Sequence, residues 1–183
     1  QPPHSGLLPE WRSPGELKPL REHMEPILSK LPPKMQMLYA ESAPIEMRPV
    51  EYVSPFDRTP RPPSRALWFR CLGPLPDDHA VHQRLLTYAS DWSLLETAIL
   101  PHPMALWGTD VRAASLTHSV HFHREYRADE WHCHAMHSPS ASGARGFALG
   151  EVWSEDGRLV ASTAQEGLLR PKGWPASRTG EEG

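Results

Sequence analysis

Three polar residues, Asp91, Ser115 and Gln165, stand out in the sequence because their side chains could activate a water molecule. A carboxylate can orient water and accept its proton, while a hydroxyl and an amide can fix the lone pairs of that water. Each residue also has a structural interpretation. Asp91 lies about 40° around a predicted helix from Leu95, at the rim of an apolar stripe. The pattern alone therefore favours a solvated carboxylate, since charged side chains are rarely buried without a partner.

Gln165 and Ser115 lie on predicted β-strands, on faces of opposite character. Gln165 shares a largely apolar face with other residues of its strand, namely Leu159, Ala161, Thr163 and Leu169. Because an unpaired buried amide costs about 1–3 kcal/mol, Gln165 needs hydrogen-bond partners. The pattern alone does not decide whether this amide has a structural or a functional role. Ser115 shares its face with polar residues, namely Thr117, Ser119, His121 and His123. Hydroxyls are common on such solvent-facing surfaces, so the pattern alone gives Ser115 little weight.

Two pairs of histidines could in principle bind zinc. His121 and His123 share one strand face, and His132 and His134 share another, so neighbouring strands could bring four imidazoles together. Cys133 points away from His132 and His134 and would not join them. We expect instead that these histidines alternate along exposed sheet faces and form no metal site. The sequence also contains no metal motif of diagnostic spacing, no Gly-rich phosphate loop and no Ser nucleophile elbow.

One long helix is predicted in the middle of the chain. Asp78 supplies a capping carboxylate, and Pro101 and Pro103 end the pattern, which gives about two dozen residues. Its apolar residues recur in alternating steps of four and three along one stripe, formed by Val81, Leu85, Tyr88, Trp92, Leu95 and Ile99. A helix with such a stripe is apolar enough to be wrapped by a sheet.

Six strands are predicted around this helix from alternating polar and apolar residues. Two precede it, at residues 45–52 and 65–72, and four follow it, at residues 114–123, 131–137, 145–153 and 158–170. The Asp-Gly pair at residues 156 and 157 favours a hairpin turn between the last two strands. Two strands, one long helix and four sequential strands predict an antiparallel sheet curled around a helix, an α+β fold.

The two ends of the chain differ in composition from this domain, which we place at residues 45–172. Of the 21 prolines, 14 lie within residues 1–63. We therefore expect residues 1–44 to be a Pro-rich linker with a short, broken helix between Pro14 and Lys30. Residues 173–183 are rich in turn formers and predict a disordered tail. Since the sequence begins with Gln1 rather than Met, we expect the start to be a cut inside the linker.

Length and composition exclude several classes of protein. A chain of 183 residues is long enough for one domain with an extension. A net charge of −3 argues against a nucleic-acid binder, and no apolar run approaches the roughly 18 residues of a membrane-spanning helix. Cys71 and Cys133 are too few for a disulfide framework, which predicts an intracellular location. The sequence does not decide between a cytoplasmic and a peroxisomal location, although the terminal Ser-Lys-Leu peroxisomal signal is absent.

Four segments of the sequence, in order, resemble the thioesterase II family of acyl-CoA thioesterases. The segments are PDDHAVHQRLLTYASD at residues 76–91, SLTHSVHFH at 115–123, SASGARGF at 140–147 and DGRLVASTAQEG at 156–167. The resemblance extends over about residues 45–172. It implies a hot-dog fold, in which a curved antiparallel sheet wraps a long central helix. Proteins of this family contain two such repeats, and the present chain resembles the linker and the second repeat.

The resemblance also implies an activity. Family members hydrolyse fatty acyl-CoA to free fatty acid and CoA with neither a metal nor an organic cofactor. A helix Asp, a Ser or Thr on the next long strand and a Gln on the last strand orient the attacking water. These positions correspond to Asp91, Ser115 and Gln165. The acyl-CoA pocket lies where two hot-dog units meet, so we expect this chain to pair with another unit, either the first repeat or a second copy.

The sequence departs from the family pattern at two positions. The family usually has Asp-His-Ser where this chain has Thr117, His118 and Ser119, and a common Glu is replaced by His137. Because neither departure falls on a water-binding position, we expect a changed substrate preference or changed local electrostatics rather than lost chemistry. The alternative hypothesis is a non-catalytic hot-dog module that binds acyl thioesters or serves as an assembly surface. In that case Asp91 and Gln165 would be structural.

Overall fold

The fold is a single antiparallel sheet packed against one helix and flanked by an N-terminal segment. The computed structural model describes residues 11–31, 33–39, 43–108 and 110–174. In this part of the chain six strands form one sheet in the order β1-β2-β4-β5-β6-β3. They are β1 (Ile45–Pro49), β2 (Ser64–Cys71), β3 (Val111–Phe122), β4 (His132–Ser142), β5 (Arg145–Ser154) and β6 (Leu159–Pro171). The predicted α+β architecture is confirmed, since every strand pair is antiparallel.

The strands lie where they are predicted, although several differ in length from the prediction. β4 continues past the predicted end at His137 as far as Ser142. Its register against β5 shifts between His137 and Ser140, and this irregularity accommodates Pro139, which has no N–H to donate. The predicted hairpin turn between β5 and β6 is confirmed. Gly157 adopts the positive φ of 84° that such a turn requires.

The central helix is shorter than predicted. Within the described ranges three helices, α1 (Leu20–Met24), α2 (Pro33–Gln36) and α3 (His79–Asp91), are accompanied by short 3₁₀ segments. The Asp78 carboxylate accepts a hydrogen bond from the N–H of Ala80 at 2.9 Å and so caps α3 as predicted. α3 then ends after 13 residues. Ser93 has a φ of 66°, which reverses the chain before a 3₁₀ turn at Leu95–Ala98, so the prediction of two dozen helical residues is wrong.

The buried face of α3 also differs from the predicted stripe. The residues it buries are His82, Leu86, Ala89 and Ser90. Tyr88, predicted to be apolar core, is 50% exposed, and its ring instead contacts the ring of Trp92 at 5.8 Å. Small side chains allow the helix to approach the sheet closely, and the Nδ1 of His82 accepts the N–H of Ala128 at 3.1 Å, although its Nε2 has no hydrogen-bond partner among the described residues. The prediction of the buried face is therefore wrong, because the residues that α3 buries come about one position later in the sequence than those of the predicted stripe.

The face of the sheet that packs against α3 and the 3₁₀ turn is called here the inner face. On β6 it is formed by Ala161, Thr163, Gln165, Gly167 and Leu169, all of them buried. A Cβ atom at Gly146 would lie 2.7 Å from Ala98 Cβ, so a side chain there would push the 3₁₀ turn away from the sheet. This glycine permits the close approach that closes the core.

The opposite, outer face of the sheet is partly covered by the N-terminal segment. Leu17 joins a buried cluster with Ala66, Trp68 and Cys133, and Trp68 Nε1 donates to the carbonyl of Arg12 at 3.1 Å. In the segment where a short, broken helix is predicted, the structure has α1 between two 3₁₀ segments. Residues 1–10 and 175–183 lie outside the described residues, and the predicted domain boundaries stay a prediction. In the described ranges no helix is long and apolar enough to cross a membrane.

The histidines are arranged differently from the expectation. His121 and His123 are exposed as predicted, but His132 and His134 are each 1% exposed and lie on the inner face. β3 pairs with β6, whereas β4 lies between β2 and β5, so the two histidine pairs are on separate parts of the sheet. Among the described residues no group of three or more His, Cys, Asp or Glu side chains could hold a metal ion.

Burial of His132 predicts a pH-dependent stability. Burial lowers the pKa of His132 from 6.5 to about 4 and that of His134 to about 3. The unfolded chain binds a proton at these sites once the pH falls below about 6.5, whereas the folded chain stays neutral until the pH reaches the lowered pKa. Each histidine should therefore reduce the free energy of unfolding by about 1 kcal/mol between pH 6.5 and pH 5.5.

A single substitution isolates this contribution. His132 packs against the rings of Phe69 and Tyr126, and its Nε2 has no hydrogen-bond partner among the described residues. His132→Phe keeps the aromatic contacts and removes the proton site. Urea unfolding of the variant at pH 6.5 and 5.5 should show a loss smaller by about 1 kcal/mol than in the parent. An unchanged pH dependence would show that His132 is protonated equally in both states.

Candidate functional site

The three predicted site residues meet at one point of the structure. Ser115 Oγ donates a hydrogen bond to Asp91 Oδ1 at 3.2 Å, and Gln165 Nε2 contacts Ser115 Oγ at 2.9 Å. Gln165 Nε2 also donates to Asp91 Oδ1. Asp91 is the last residue of α3, Ser115 lies on β3 and Gln165 lies on β6. Three elements that are distant in sequence therefore bring a carboxylate, a hydroxyl and an amide into mutual contact.

A bulge in β3 turns Ser115 towards this point. Ser115 pairs with Gly167 and Thr117 pairs with Glu166, so the residue between them, Leu116, is unmatched. Leu116 is 54% exposed. Because paired residues of antiparallel strands share a face, Ser115 lies on the same inner face as Gly167 and Gln165. The prediction that Ser115 shares a face with Thr117 and the following odd-numbered residues is wrong for this reason.

The end of α3 presents Asp91 to the solvent. Asp91 and Ser115 are exposed, whereas Gln165 is fully buried beneath them. A carboxylate in the last turn of a helix is adjacent to the negative end of the helix dipole, which costs about 0.3–1 kcal/mol. The hydrogen bonds from Ser115 and Gln165 offset this cost. Asp91 is thus held in a fixed position, but it remains accessible to water and to a substrate.

His118 is a neighbour of the site that the sequence did not identify. It pairs with Gln165 across β3 and β6, and its Nε2 lies 3.0 Å from Ser90 Oγ. Ser90 Oγ donates to the carbonyl of Thr87 at 3.2 Å, so the His118 N–H is the donor to Ser90. Burial lowers the pKa of His118, and the nearby negative charge of Asp91 opposes this shift only in part.

His118 therefore holds the last turn of α3 against β3 beside Asp91. Its Nδ1 is buried and has no hydrogen-bond partner among the described residues. The sequence did contain a signal for this role, because His118 has the same alternation as the apolar residues of its strand, namely Ala114, Leu116, Val120 and Phe122. A polar residue on an apolar strand face needs a partner.

A cavity of about 350 Å³ opens beside the three residues. Asp91 and Ser115 lie at its wall, and the other lining residues include Leu20, Met24, Leu106 and Trp107. Pockets of this kind, with apolar walls and a few convergent polar groups, are typical of small-molecule sites. The N-terminal segment contributes to the wall through α1. The arrangement can position a water molecule against a substrate with an apolar group.

Comparison with known proteins agrees with the geometry. A sequence model described as acyl-CoA thioesterase matches residues 35–168. The chain belongs to the acyl-CoA thioesterase family. Among curated members of the family, it is 34% identical over 167 residues to acyl-CoA thioesterase 2 of Haemophilus influenzae and 38% identical over 152 residues to human acyl-coenzyme A thioesterase 8.

Solved structures place this family member in the hot-dog fold. The crystal structure of an acyl-CoA thioesterase II from Mycobacterium marinum has a TM-score of 0.69 at 29% identity and covers 94% of this chain. A protein of unknown function with a hot dog fold from Alicyclobacillus acidocaldarius has a TM-score of 0.63 at 18% identity and supports the fold alone. The resemblance to the thioesterase II family and the predicted hot-dog fold are confirmed.

The chain spans only part of the length of these relatives. The alignments cover 91% and 81% of this chain, but only 58% of the Haemophilus influenzae protein and 46% of the human protein. The Mycobacterium marinum structure is covered over 59% of its length. The three site residues all lie within the region matched by the family model.

Proposed function

We propose that this chain carries the water-activating groups of an acyl-CoA thioesterase that hydrolyses fatty acyl-CoA to free fatty acid and CoA. The observation that carries the proposal is the contact of Asp91 with Ser115 and Gln165 at the wall of an apolar cavity. A carboxylate can remove a proton from water, and the cavity can hold an acyl chain beside it. Membership of the family supports the same reaction.

The reaction needs no covalent intermediate. Asp91 accepts a proton from a water molecule while the water oxygen attacks the thioester carbonyl carbon. Ser115 Oγ, which donates to Asp91, can accept the second hydrogen of that water, and Gln165 Nε2 holds both side chains in place, so the direction of attack is fixed. The tetrahedral intermediate collapses, the C–S bond breaks, and the CoA sulfur leaves with the electron pair and takes up the proton. Asp91 is regenerated as a carboxylate, and the acid is released.

Release of thiol separates this proposal from a non-catalytic module. The chain should release CoA thiol from medium- and long-chain acyl-CoA, measured with a thiol-reactive dye. Family membership does not favour the alternative of a binding or assembly module. A chain that binds acyl-CoA but releases thiol no faster than its Gln165→Ala variant would be such a module, and the catalytic proposal would be wrong.

We further propose that the open edge of β3 pairs with another hot-dog unit. β3 is the edge strand of the sheet, is 12 residues long and is exposed along most of its length. A long exposed edge is a template for another strand, and Leu116 adds an apolar contact there. The partial coverage of the relatives supports a partner that is either a first repeat or a second copy.

Self-association should depend on this edge. At tens of micromolar the chain should sediment as a species larger than its 20.6 kDa monomer. Leu116→Lys should weaken association at least tenfold, because a charge replaces an apolar contact at the edge. Leu72→Lys is the matched control, since Leu72 is 45% exposed and lies at the end of β2, away from β3. A parent that stays monomeric would show that a second copy is not the partner.

The predicted location in the cytoplasm or the peroxisome remains part of this proposal. Both cysteines, Cys71 and Cys133, are free thiols in buried positions, which suits a reducing compartment.

A further inference from the structure

A second cavity lies next to the one that borders the site. It has a volume of about 140 Å³, and its lining is about half polar, with Ile45, Met47 and Leu72 among its apolar residues. The two cavities share three wall residues, namely Leu20, Tyr39 and Trp92. Asp91 and Ser115 border only the first cavity, called here the near cavity, and not the second, called the far cavity. The shared residues therefore separate the site from an additional space with a partly apolar wall.

Of the three shared residues, Trp92 is the one next to the site in the sequence. It follows Asp91 directly and has extended backbone angles of φ −72° and ψ 138°, and its N–H donates to the carbonyl of Ala89 at 3.3 Å. The next residue, Ser93, has a φ of 66°. A left-handed conformation is costly for a residue other than glycine and persists only where the surroundings enforce it. The turn at Ser93 thus constrains the backbone of Trp92 directly after Asp91.

Trp92 could also be a simple core residue, because it is partly buried and packs against the main core cluster. A core residue, however, would be surrounded by protein atoms on all sides. Trp92 instead borders two cavities, and its ring makes an edge contact with the exposed ring of Tyr88. Charged groups, Arg21 and Glu46, also line the far cavity, but Glu46 is paired with Arg48 and Arg70.

We propose that Trp92 controls acyl chain length by dividing one acyl groove into the near and the far cavity. The proposal rests on the proposed function, because the acyl chain of the substrate is its occupant. Short chains fill the near cavity, and the end of a long chain passes Trp92, Leu20 and Tyr39 into the far cavity. A cavity of roughly 150 Å³ holds a molecule the size of benzene, so the far cavity has room for about six carbons.

Two substitutions should move the chain-length preference in opposite directions. Trp92→Ala joins the cavities and should raise the ratio of kcat/KM for dodecanoyl-CoA over hexanoyl-CoA about tenfold. Tenfold corresponds to about two additional buried methylene groups. Ala43→Trp places a large side chain in the far cavity, which Ala43 lines, and should lower the same ratio about tenfold. Using the ratio cancels any disturbance of Asp91 that affects both substrates equally.

The control and a second measurement keep this proposal distinct from the proposed function. Trp174→Ala removes an exposed indole that lines neither cavity and should leave the ratio unchanged. Binding of dodecanoate and hexanoate, measured by calorimetry, should show the same opposite shifts even if no acyl-CoA is hydrolysed. If the chain releases no thiol but the two variants shift fatty-acid binding as expected, the proposed function is wrong and the role of Trp92 stands. If Trp92→Ala and Ala43→Trp keep the parent's ratios in both measurements, Trp92 does not control chain length.

Discussion

Replacing Asp91 with asparagine should lower kcat for acyl-CoA hydrolysis by about 10²–10⁴-fold, the usual contribution of a positioned general base. Asparagine keeps the shape of the side chain and still accepts a hydrogen bond from Ser115, but it cannot take a proton from water. The KM should change little. The free energy of unfolding should stay constant or rise by up to about 1 kcal/mol, since the substitution removes a negative charge from the C-terminal end of α3.

A fall in kcat without a fall in the free energy of unfolding would identify Asp91 as a functional residue rather than a structural one. Asp77→Asn is the matched control, because Asp77 precedes α3 and its side chain is fully exposed in an ion pair with Arg127. Both variants should be measured for kcat, KM and urea unfolding. If Asp91→Asn keeps the parent's kcat, another group must remove the proton, and the mechanism is wrong.

Gln165 provides an independent check of the same mechanism. Its Oε1 is buried with no hydrogen-bond partner among the described residues, which is a cost to stability. Gln165→Leu should therefore leave the free energy of unfolding nearly unchanged while it lowers kcat. Because Gln165 is proposed to act by holding Asp91 and Ser115 in place, the double variant should lose little more activity than Asp91→Asn alone. Fully additive losses would indicate that the two side chains act separately.

The sequence predicted the sheet well because its strands carry a strict period of two. The alternation on β6 placed Gln165 on the buried face, and the structure confirms that position. The Asp-Gly turn before β6 fixed the register of its hairpin with β5. Local patterns of this kind survive in the fold because each strand has one face on the core.

The errors have a common physical origin, which is a single residue that interrupts a regular period. Ser93 in a left-handed conformation ended α3 far earlier than the apolar stripe suggested, and the unmatched Leu116 reversed the face of Ser115. Neither event has a glycine or proline to announce it. Ser115 was therefore predicted from the family resemblance rather than from the strand pattern, which placed it on the wrong face.

The burial of His134 could not be predicted because its partner comes from a distant strand. His134 on β4 contacts Thr163 on β6 at 2.9 Å, across the intervening β5. Period-two alternation indicates only that His132 and His134 share a face, not which face is the core. In a sequence, a buried neutral imidazole with one long-range partner looks the same as an exposed imidazole. Whether His134 can reach Thr163 depends on the residue of β5 that lies between these two side chains.

That residue is Gly150, and Gly150→Ala should destabilise the fold by about 2–4 kcal/mol. A Cβ atom there would overlap His134 Nε2, lie 2.8 Å from His134 Cδ2 and lie 2.5 Å from Thr163 Oγ1. Strands two apart in a sheet are about 9–10 Å from each other, so His134 reaches Thr163 only by crossing above Gly150. The alanine would displace a rigid, buried ring and break its hydrogen bond, and overpacking and an unpaired polar group each cost about 1–3 kcal/mol.

Urea unfolding at pH 7.5 measures this loss, and a second substitution identifies its cause. Gly15→Ala is the control, since the nearest atom to its Cβ would be Ser13 Oγ at 3.8 Å, and it should change stability by less than about 0.5 kcal/mol. His134→Ala removes the ring that Gly150→Ala displaces. The double variant should therefore cost at least about 1 kcal/mol less than the sum of the two single variants, as expected for residues in contact. Additive losses would show that Gly150 is required by the backbone of β5 rather than by the crossing histidine, because only the latter cause disappears when the ring is absent.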